Sequence, residues 1–495
     1  MLRAASKSAF GPRRWLCTAP TPFTTAFQTV DSSFESHGVD AGLIGKIGKL
    51  KIQRPTAVQS SVLPSLAPTD FNANVPDVMF HAPTGTGKTL AYLLPILSSL
   101  SRLPHRQRRQ TAGVVMVPTR ELALQIAAVA TLLGQRPSKK RRQDALSRLG
   151  GALKGGGVTS QNYSAVEAAV ADAARSTELD WSVQVAKGEI SAGELASMKR
   201  APPNLLVGTP QALTSLVPQH VGLGLSGYVV LDEIDSLLLP GMKPHAVDLL
   251  RSVRRITRRR EAANDSLSQY TPLRTVLCGA YPSSAVLDFA QSWLRTGYKS
   301  VDLNADGSVA THTGTPGKRA AGAAGKLPPH VRHSTQACTG QDEQLRELAS
   351  FMLNGGPGRV PRALVFANST AEVDTALEAL QSSGVKAAAF TNSTGYQLRR
   401  RAMRKMDEGA LNAIVCTDML ARGIDIPRLT HAVNLGVPPT PQAYYHRAGR
   451  VGRIRPGAAD RPLASAKPGR VHSITSSPKE EAALRDMMNQ LGVPQ

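Results

Sequence analysis

The feature that most restricts how this chain can fold is an apolar strand that runs into Ala82-Pro83-Thr84-Gly85-Thr86-Gly87-Lys88-Thr89, followed at once by a helical run from Leu90. A glycine-rich turn between a buried strand and a helix N-terminus aims several backbone N–H groups, and the positive end of the helix dipole, at one point. Such a turn binds anions, phosphate above all. Thr84, Gly85, Thr86 and Gly87 then form the cradle, Lys88 meets the β and γ phosphates of a nucleotide, and the Thr89 hydroxyl ligates Mg2+. The generic pattern has Gly where Ala82 stands. A unit of this kind sits in a mostly parallel α/β sheet whose crossover helices cover both faces.

The rest of the chain repeats that theme. Short β-branched and apolar runs bounded by turn residues predict strands at Val78–His81, Val114–Val117, Leu205–Val207, Tyr228–Leu231 and Thr275–Cys278, then a second set at Ala363–Phe366, Ile414–Thr417 and Ala432–Asn434. With 495 residues the chain is long enough for two full cores. The expected division is a leader over 1–30, a first domain over 31–303 with an insertion at about 134–180, a linker over 304–327 and a second domain with a C-terminal extension over 328–495. The insertion carries Lys139, Lys140, Arg141 and Arg142, and the linker is rich in Gly, Ala, Thr and Lys.

Lys and Arg exceed Asp and Glu by 23, so the surface attracts polyanions, nucleic acid and anionic membrane alike. No apolar run approaches the roughly 18 residues of a spanning helix, so no membrane partner is expected. Cys17, Cys278, Cys338 and Cys416 are scattered without ligand spacing, which argues for reduced, structural thiols. The leader holds Arg3, Lys7, Arg13 and Arg14 with several Ser and Thr and no acid before Asp31, the composition of a mitochondrial transit peptide, with a chloroplast address sharing the same signature.

A second chemical motif follows the phosphate loop. Tyr228-Val229-Val230-Leu231-Asp232-Glu233-Ile234-Asp235 is an apolar strand that ends in carboxylates. Beside a bound nucleotide, Asp232 can hold the metal sphere while Glu233 orients and deprotonates the attacking water. In this order and spacing the two motifs resemble the DEAD-box ATP-dependent RNA helicases, with Asp232 to Asp235 as a variant of the namesake box. The likeness extends over roughly Phe34 to Arg453 and implies two tandem RecA-like α/β domains that use ATP and Mg2+.

The resemblance implies further roles. Gln59 matches the family's adenine-reading glutamine and Phe34 an aromatic that stacks on adenine. Pro118-Thr119-Arg120-Glu121-Leu122-Ala123 reproduces an RNA-contact motif, and Thr209-Pro210 begins another, with Gln211 and Ala212 where Gly and Arg are usual. In the second domain Thr417 would contact RNA phosphate and Asp425 the ATP ribose, while Gln397 and Arg400 fit a further element. His446-Arg447-Ala448-Gly449-Arg450-Val451-Gly452-Arg453 resembles the last helicase motif, with Arg447 and Arg450 as arginine fingers on the γ phosphate.

One departure bears on mechanism. Where the family has Ser-Ala-Thr, whose hydroxyls bond toward the box and the last motif, here Asp235 and His446, this chain has Gly279-Ala280-Tyr281. The resemblance implies a monomer that binds RNA through its backbone and separates strands, with protein cofactors choosing the target. Two other readings stay open: an ATP-gated RNA clamp with little unwinding, and a non-enzymatic RNA-binding scaffold.

Overall fold

The computed structural model describes residues 15–16 and 32–493, apart from 51, 68–75, 84–85, 103–110, almost all of 135–180, 187–190, 217–226, 263–272, 304–307, 315–326, 328–330, 355–360, 392–393, 395, 419–425, 427–428 and 452–468. The strands are β1 (Trp15–Leu16), β2 (Val78–His81), β3 (Gly113–Met116), β4 (Val183–Ala186), β5 (Leu205–Gly208), β6 (Tyr228–Asp232), β7 (Arg274–Gly279), β8 (Lys299–Leu303), β9 (Val309–Thr313), β10 (Arg332–Ala337), β11 (Ala363–Phe366), β12 (Ala387–Phe390), β13 (Ala413–Cys416), β14 (His431–Leu435) and β15 (Arg470–Thr475). The helices are α1 (Ala41–Lys49), α2 (Ala57–Leu66), α3 (Lys88–Arg102), α4 (Arg120–Gly134), α5 (Ala192–Arg200), α6 (Pro210–Leu216), α7 (Ile234–Leu237), α8 (Lys243–Ala262), α9 (Ser284–Trp293), α10 (Gln341–Asn354), α11 (Thr370–Ser382), α12 (Tyr396–Glu408), α13 (Pro441–Ala448) and α14 (Pro478–Gln490).

Two sheets form. The first runs β4-β5-β3-β6-β7-β2-β8-β9 and the second β1-β10-β15-β14-β11-β13-β12. Pairing is parallel throughout except at β8 with β9 and at β1 with β10. Successive side chains of a strand point to opposite faces. Val78 and Phe80 of β2 therefore enter one core and Met79 the other, and in β11 Leu364 and Phe366 part from Ala363 and Val365 in the same way. Both faces are apolar because helices cover both, as a parallel sheet requires.

The expected linker over 304–327 needs correction at its start. Val309-Ala310-Thr311-His312-Thr313 is β-branched and pairs antiparallel with β8 as the edge strand of the first sheet. Trp15–Leu16, within the expected leader, lie antiparallel to β10. The insertion and the rest of the leader fall almost wholly outside the described residues.

The strand order decides which loops meet. β7 lies between β6 and β2, so the ends of these three strands bring the phosphate loop, Asp232 and Gly279 together. In the second sheet β11 lies between β14 and β13, which gathers Asn434, Asn368 and Asp418.

The second core also holds buried imidazoles. His333 bonds the Tyr444 hydroxyl at 2.8 Å, and His431 bonds Thr430 at 2.8 Å with its ring edge-on to Phe351. Burial pushes His333 down to about 3 and, with the nearby Arg470 charge, His431 down to about 4. Unfolded, each takes a proton near pH 6.5. Protons therefore favour the unfolded chain below that pH, and stability falls as pH drops, by about 1.4 kcal/mol per unit for each histidine until roughly pH 4. Melting of the full chain should show the fall between pH 7 and pH 5, with a shallower slope in His431→Asn; equal slopes would contradict this account.

Candidate nucleotide and nucleic-acid site

The phosphate loop is held from behind by the start of α2. Thr56 caps that helix in a reciprocal box with Gln59: the Thr56 N–H donates to Gln59 Oε1 at 2.9 Å, and the Gln59 N–H reaches the Thr56 hydroxyl. The same two side chains grip the loop, Thr56 Oγ1 donating to the Thr86 carbonyl at 2.8 Å and Gln59 Nε2 to the Gly87 carbonyl at 3.1 Å. Gly87 has φ +89°, and a Cβ there would fall 2.3 Å from Gln59 Nε2, so glycine is required twice over. Gln59 is 2% exposed and its amide is already committed to Thr56 and the loop, so in this arrangement it secures the loop. Phe34, expected to stack on adenine, is 2% exposed and packed into the first core, with no open ring face. Apolar packing holds it there.

Inside the loop, Lys88 Nζ donates to the Ala82 carbonyl at 2.7 Å and the Pro83 carbonyl at 3.0 Å, and Thr86 Oγ1 also donates to Pro83. The ammonium thus stands in the mouth of the cradle. Thr84 and Gly85 lie outside the described residues, as does Asp425.

Asp232 ends β6 buried, at 3% exposure. Its Oδ2 accepts from the Tyr92 hydroxyl at 2.8 Å; its Oδ1 accepts from the Cys278 thiol at 3.1 Å and the Glu233 N–H at 2.9 Å. Burial, then the Glu233 charge, pushes the Asp232 carboxyl up, against the pull of those donors and of Lys88. The Thr89 hydroxyl faces the same Tyr92 phenol, so the two side chains expected at the metal share one hydrogen-bonding neighbour. A carboxylate and a hydroxyl are hard oxygen donors of the kind that hold Mg2+ through few direct protein contacts, and the set fits that ion. Neither Tyr92 nor Cys278 was singled out from sequence as part of this site; a polar atom on an otherwise apolar helix or strand stretch was the available signal.

Glu233 adopts φ 52° and ψ 48°, the one left-handed non-glycine backbone among the described residues. An L-residue there costs roughly 1–2 kcal/mol, and such strain collects where a side chain must be aimed. It turns the chain abruptly from β6 into α7.

Two residues on, Asp235 meets the second domain. Its carboxylate, fully buried, lies 2.6 Å from His446 Nε2, and Gln442 Nε2 donates to the Asp235 carbonyl at 3.2 Å. Ala280 is buried and Tyr281 half-buried in the apolar cluster of the second domain, with the Tyr281 ring 5.7 Å from that of Tyr445. The box, the Gly279-Ala280-Tyr281 turn and the last motif therefore form one junction.

The expectation for Arg447 is corrected. Its side chain is buried, donates twice to Asp418 at 2.6 and 2.8 Å, once to Asn368 at 2.8 Å and once to Asn434 at 3.4 Å, and lies over the Phe366 ring. A planar guanidinium with this many acceptors ties together the ends of three strands and is not free to reach a phosphate. Arg450, 7% exposed, donates to the His446 carbonyl at 3.1 Å, and Arg453 lies outside the described residues.

The residues expected at RNA lie at neighbouring strand ends. Val117 N–H bonds the Gly208 carbonyl at 3.0 Å, which sets Pro118, Thr119 and Arg120 beside Thr209 and Pro210. Thr119 accepts from the Leu122 N–H, and Arg120 is exposed at the start of α4. Thr417 is half-buried after β13, and Arg400 lies in α12 with its side chain outside the described set.

Against known proteins, the DEAD/DEAH box helicase model matches residues 56–154 and the helicase conserved C-terminal domain model matches 343–455. The chain is 26% identical over 423 residues to ATP-dependent RNA helicase SrmB of Haemophilus influenzae, covering 85% of this chain and 77% of that protein. It is 28% identical over 438 residues to probable ATP-dependent RNA helicase DDX28 of Mus musculus, covering 86% and 67%. Among solved structures it resembles Mss116p bound to ssRNA and AMP-PNP (TM-score 0.64, 19% identity, 94% and 78% covered). It resembles Saccharomyces cerevisiae Dbp5 bound to RNA and ADP BeF3 to a similar degree (TM-score 0.61, 19% identity, 94% of both chains). With both family models in order on two parallel-sheet domains, the chain belongs to the DEAD-box family of superfamily 2 helicases.

Proposed function

We propose that the chain is an RNA-dependent ATPase that uses ATP binding and hydrolysis to separate short RNA duplexes or remodel RNA–protein complexes. The observation that carries this reading is the junction in which Asp235, two residues beyond Glu233 in the box, meets His446 of the opposite domain at 2.6 Å. Whatever moves the phosphate side of the first domain is felt at the last motif of the second.

In this mechanism the loop amides and Lys88 bind the phosphates, and Glu233 orients a water in line with the γ phosphate and takes its proton. Asp232 and Thr89 would hold Mg2+, which supplies charge neutralisation on the β and γ oxygens when bound. Arg450, with Arg453 beside it in the motif, carries the charge-stabilising role that the sequence shared between Arg447 and Arg450, because the Arg447 guanidinium is engaged by Asp418, Asn368 and Asn434. RNA lies across the adjacent turns of Pro118-Thr119-Arg120 and Thr209-Pro210 in the first domain and against Thr417 in the second. Aromatics make up only 4% of the chain, so contact runs through the phosphate backbone and not through stacked bases. The reading keeps a monomer, protein cofactors that select the RNA, and a mitochondrial address in residues 1–30. The clamp reading draws support from Gly279, which removes a hydroxyl from the junction.

Steady-state ATPase of the chain should rise with single-stranded RNA, not with DNA, and Glu233→Gln should abolish turnover while ATP still binds. Turnover indifferent to RNA, or retained in Glu233→Gln, overturns the reading. Glu233→Gly should be equally inactive yet melt no lower than Glu233→Gln, because glycine removes strain of about 1 kcal/mol. Arg447→Lys is expected to lower the melting temperature as well as the activity. Lysine keeps the charge but loses the fork shared by Asp418, Asn368 and the buried Asn434, a cost of about 1–3 kcal/mol, and wild-type melting with selective loss of turnover would restore Arg447 as a finger.

A further inference from the structure

The composition of Gly279-Ala280-Tyr281 is explained by its neighbours. A Cβ at position 279 would fall 3.1 Å from Ile234 Cγ2 and 3.3 Å from His81 Cδ2. Ile234 occupies the box position that the family name spells as Ala, and its branched side chain is fully buried against the turn. His81 is fixed there by Asp302, 3.0 Å from its Nδ1. A serine side chain at 279 would press on Ile234 and His81, which would have to give by a few tenths of an ångström, so glycine suits the turn with these two neighbours in place.

The next two residues supply another connection. Ala280 is 6% exposed and Tyr281 half-buried, both within the apolar cluster of the second domain. The Tyr281 ring lies 5.7 Å from Tyr445 at a 52° tilt, and Tyr445 in turn meets the His446 ring edge-on, centroids 6.2 Å apart. Tyr445 stands on α13, the helix that also carries Gln442, His446 and Arg447. Ring packing thus joins the turn after β7 to α13, next to the Asp235–His446 pair.

We propose that Tyr281 is the coupling residue of this chain, linking nucleotide state in the first domain to α13 of the second by apolar contact with Tyr445 in place of paired hydroxyls. The proposal rests on the helicase reading above and assigns a positioning role; Tyr281 touches neither phosphate nor RNA in it. Tilted aromatic pairs contribute modestly, so loss of the ring should shift the closed fraction roughly two- to tenfold.

The test compares Tyr281→Phe, Tyr281→Ala, Tyr281→Thr and Tyr445→Leu in the full chain, reading base pairs separated per ATP hydrolysed and the closed population by fluorescence transfer between labelled domains with ATP and RNA. Tyr281→Phe should behave as wild type. Tyr281→Ala and Tyr281→Thr should each lose several-fold in strands separated per ATP and in closed population, and adding Tyr445→Leu to Tyr281→Ala should cost little more. Tyr281→Leu, which keeps bulk without the ring, serves if the alanine variant does not fold. The proposal is overturned if Tyr281→Ala matches wild type, if Tyr281→Phe is as damaged as Tyr281→Ala, or if Tyr281→Thr restores full coupling. The unmutated chain separates the two readings: no RNA-stimulated turnover there strikes the helicase assignment, whereas normal turnover beside an indifferent Tyr281→Ala strikes this one.

Discussion

A carboxylate cannot remain charged in an apolar interior without donors, and the placement of Asp232 at the buried end of β6 makes the nucleotide half of the molecule depend on meeting that demand. Three groups meet it, the Tyr92 phenol from α3, the Cys278 thiol from β7 and the Glu233 N–H that follows. Each donor belongs to a different element of the loop-bearing edge, so satisfying one charge also fixes the helix that follows the phosphate loop, the strand that leads to the interdomain turn and the backbone twist that aims Glu233. The left-handed backbone at Glu233 persists because its N–H is held at Asp232 while its carbonyl accepts from Ser236 and Leu237.

The second domain solves a similar problem with the opposite sign. Arg447 is a buried cation surrounded by Asp418, Asn368 and Asn434, one from the end of each of three adjacent strands. A buried ion pair of this kind adds little net stability against an apolar replacement, but breaking it leaves a charge stranded. Its effect is geometric. It fixes α13 to the sheet, so His446 is presented on a rigid helix and Arg450 in the turn directly after it.

Much of this architecture was legible in the residues. Each strand expected from an apolar run formed, with ends shifted by at most one residue, because a parallel sheet buried on both faces leaves a continuous apolar signature. The phosphate loop and the box were readable as motifs for the same reason that they work: backbone geometry there admits few residue types. What escaped had mixed or local signals. β9 is half-exposed and flanked by Gly and Asp, so its β-branched residues read as linker. Phe34 and Arg447 were assigned outward roles that their surroundings deny, since a motif gives spacing but not which way a side chain faces. Tyr92 and Cys278 sit in apolar stretches where one oxygen or sulfur leaves the hydrophobic pattern intact.

The junction between domains has an energetic asymmetry that follows from these contacts. At the junction the Asp235 carboxylate is fully buried against His446, and keeping a carboxylate and an imidazole out of water costs several kcal/mol that their attraction returns only in part. The ring contact of Tyr281 with Tyr445 and the burial of Ala280 are favourable, since they keep apolar surface from water with no charge to desolvate. A junction built from one costly polar pair and one favourable apolar pair sets opposing terms against each other. On the proposed reading, what else bridges the domains tips that opposition, and a phosphate chain on one side with RNA backbone on the other are ligands whose charges this basic molecule attracts.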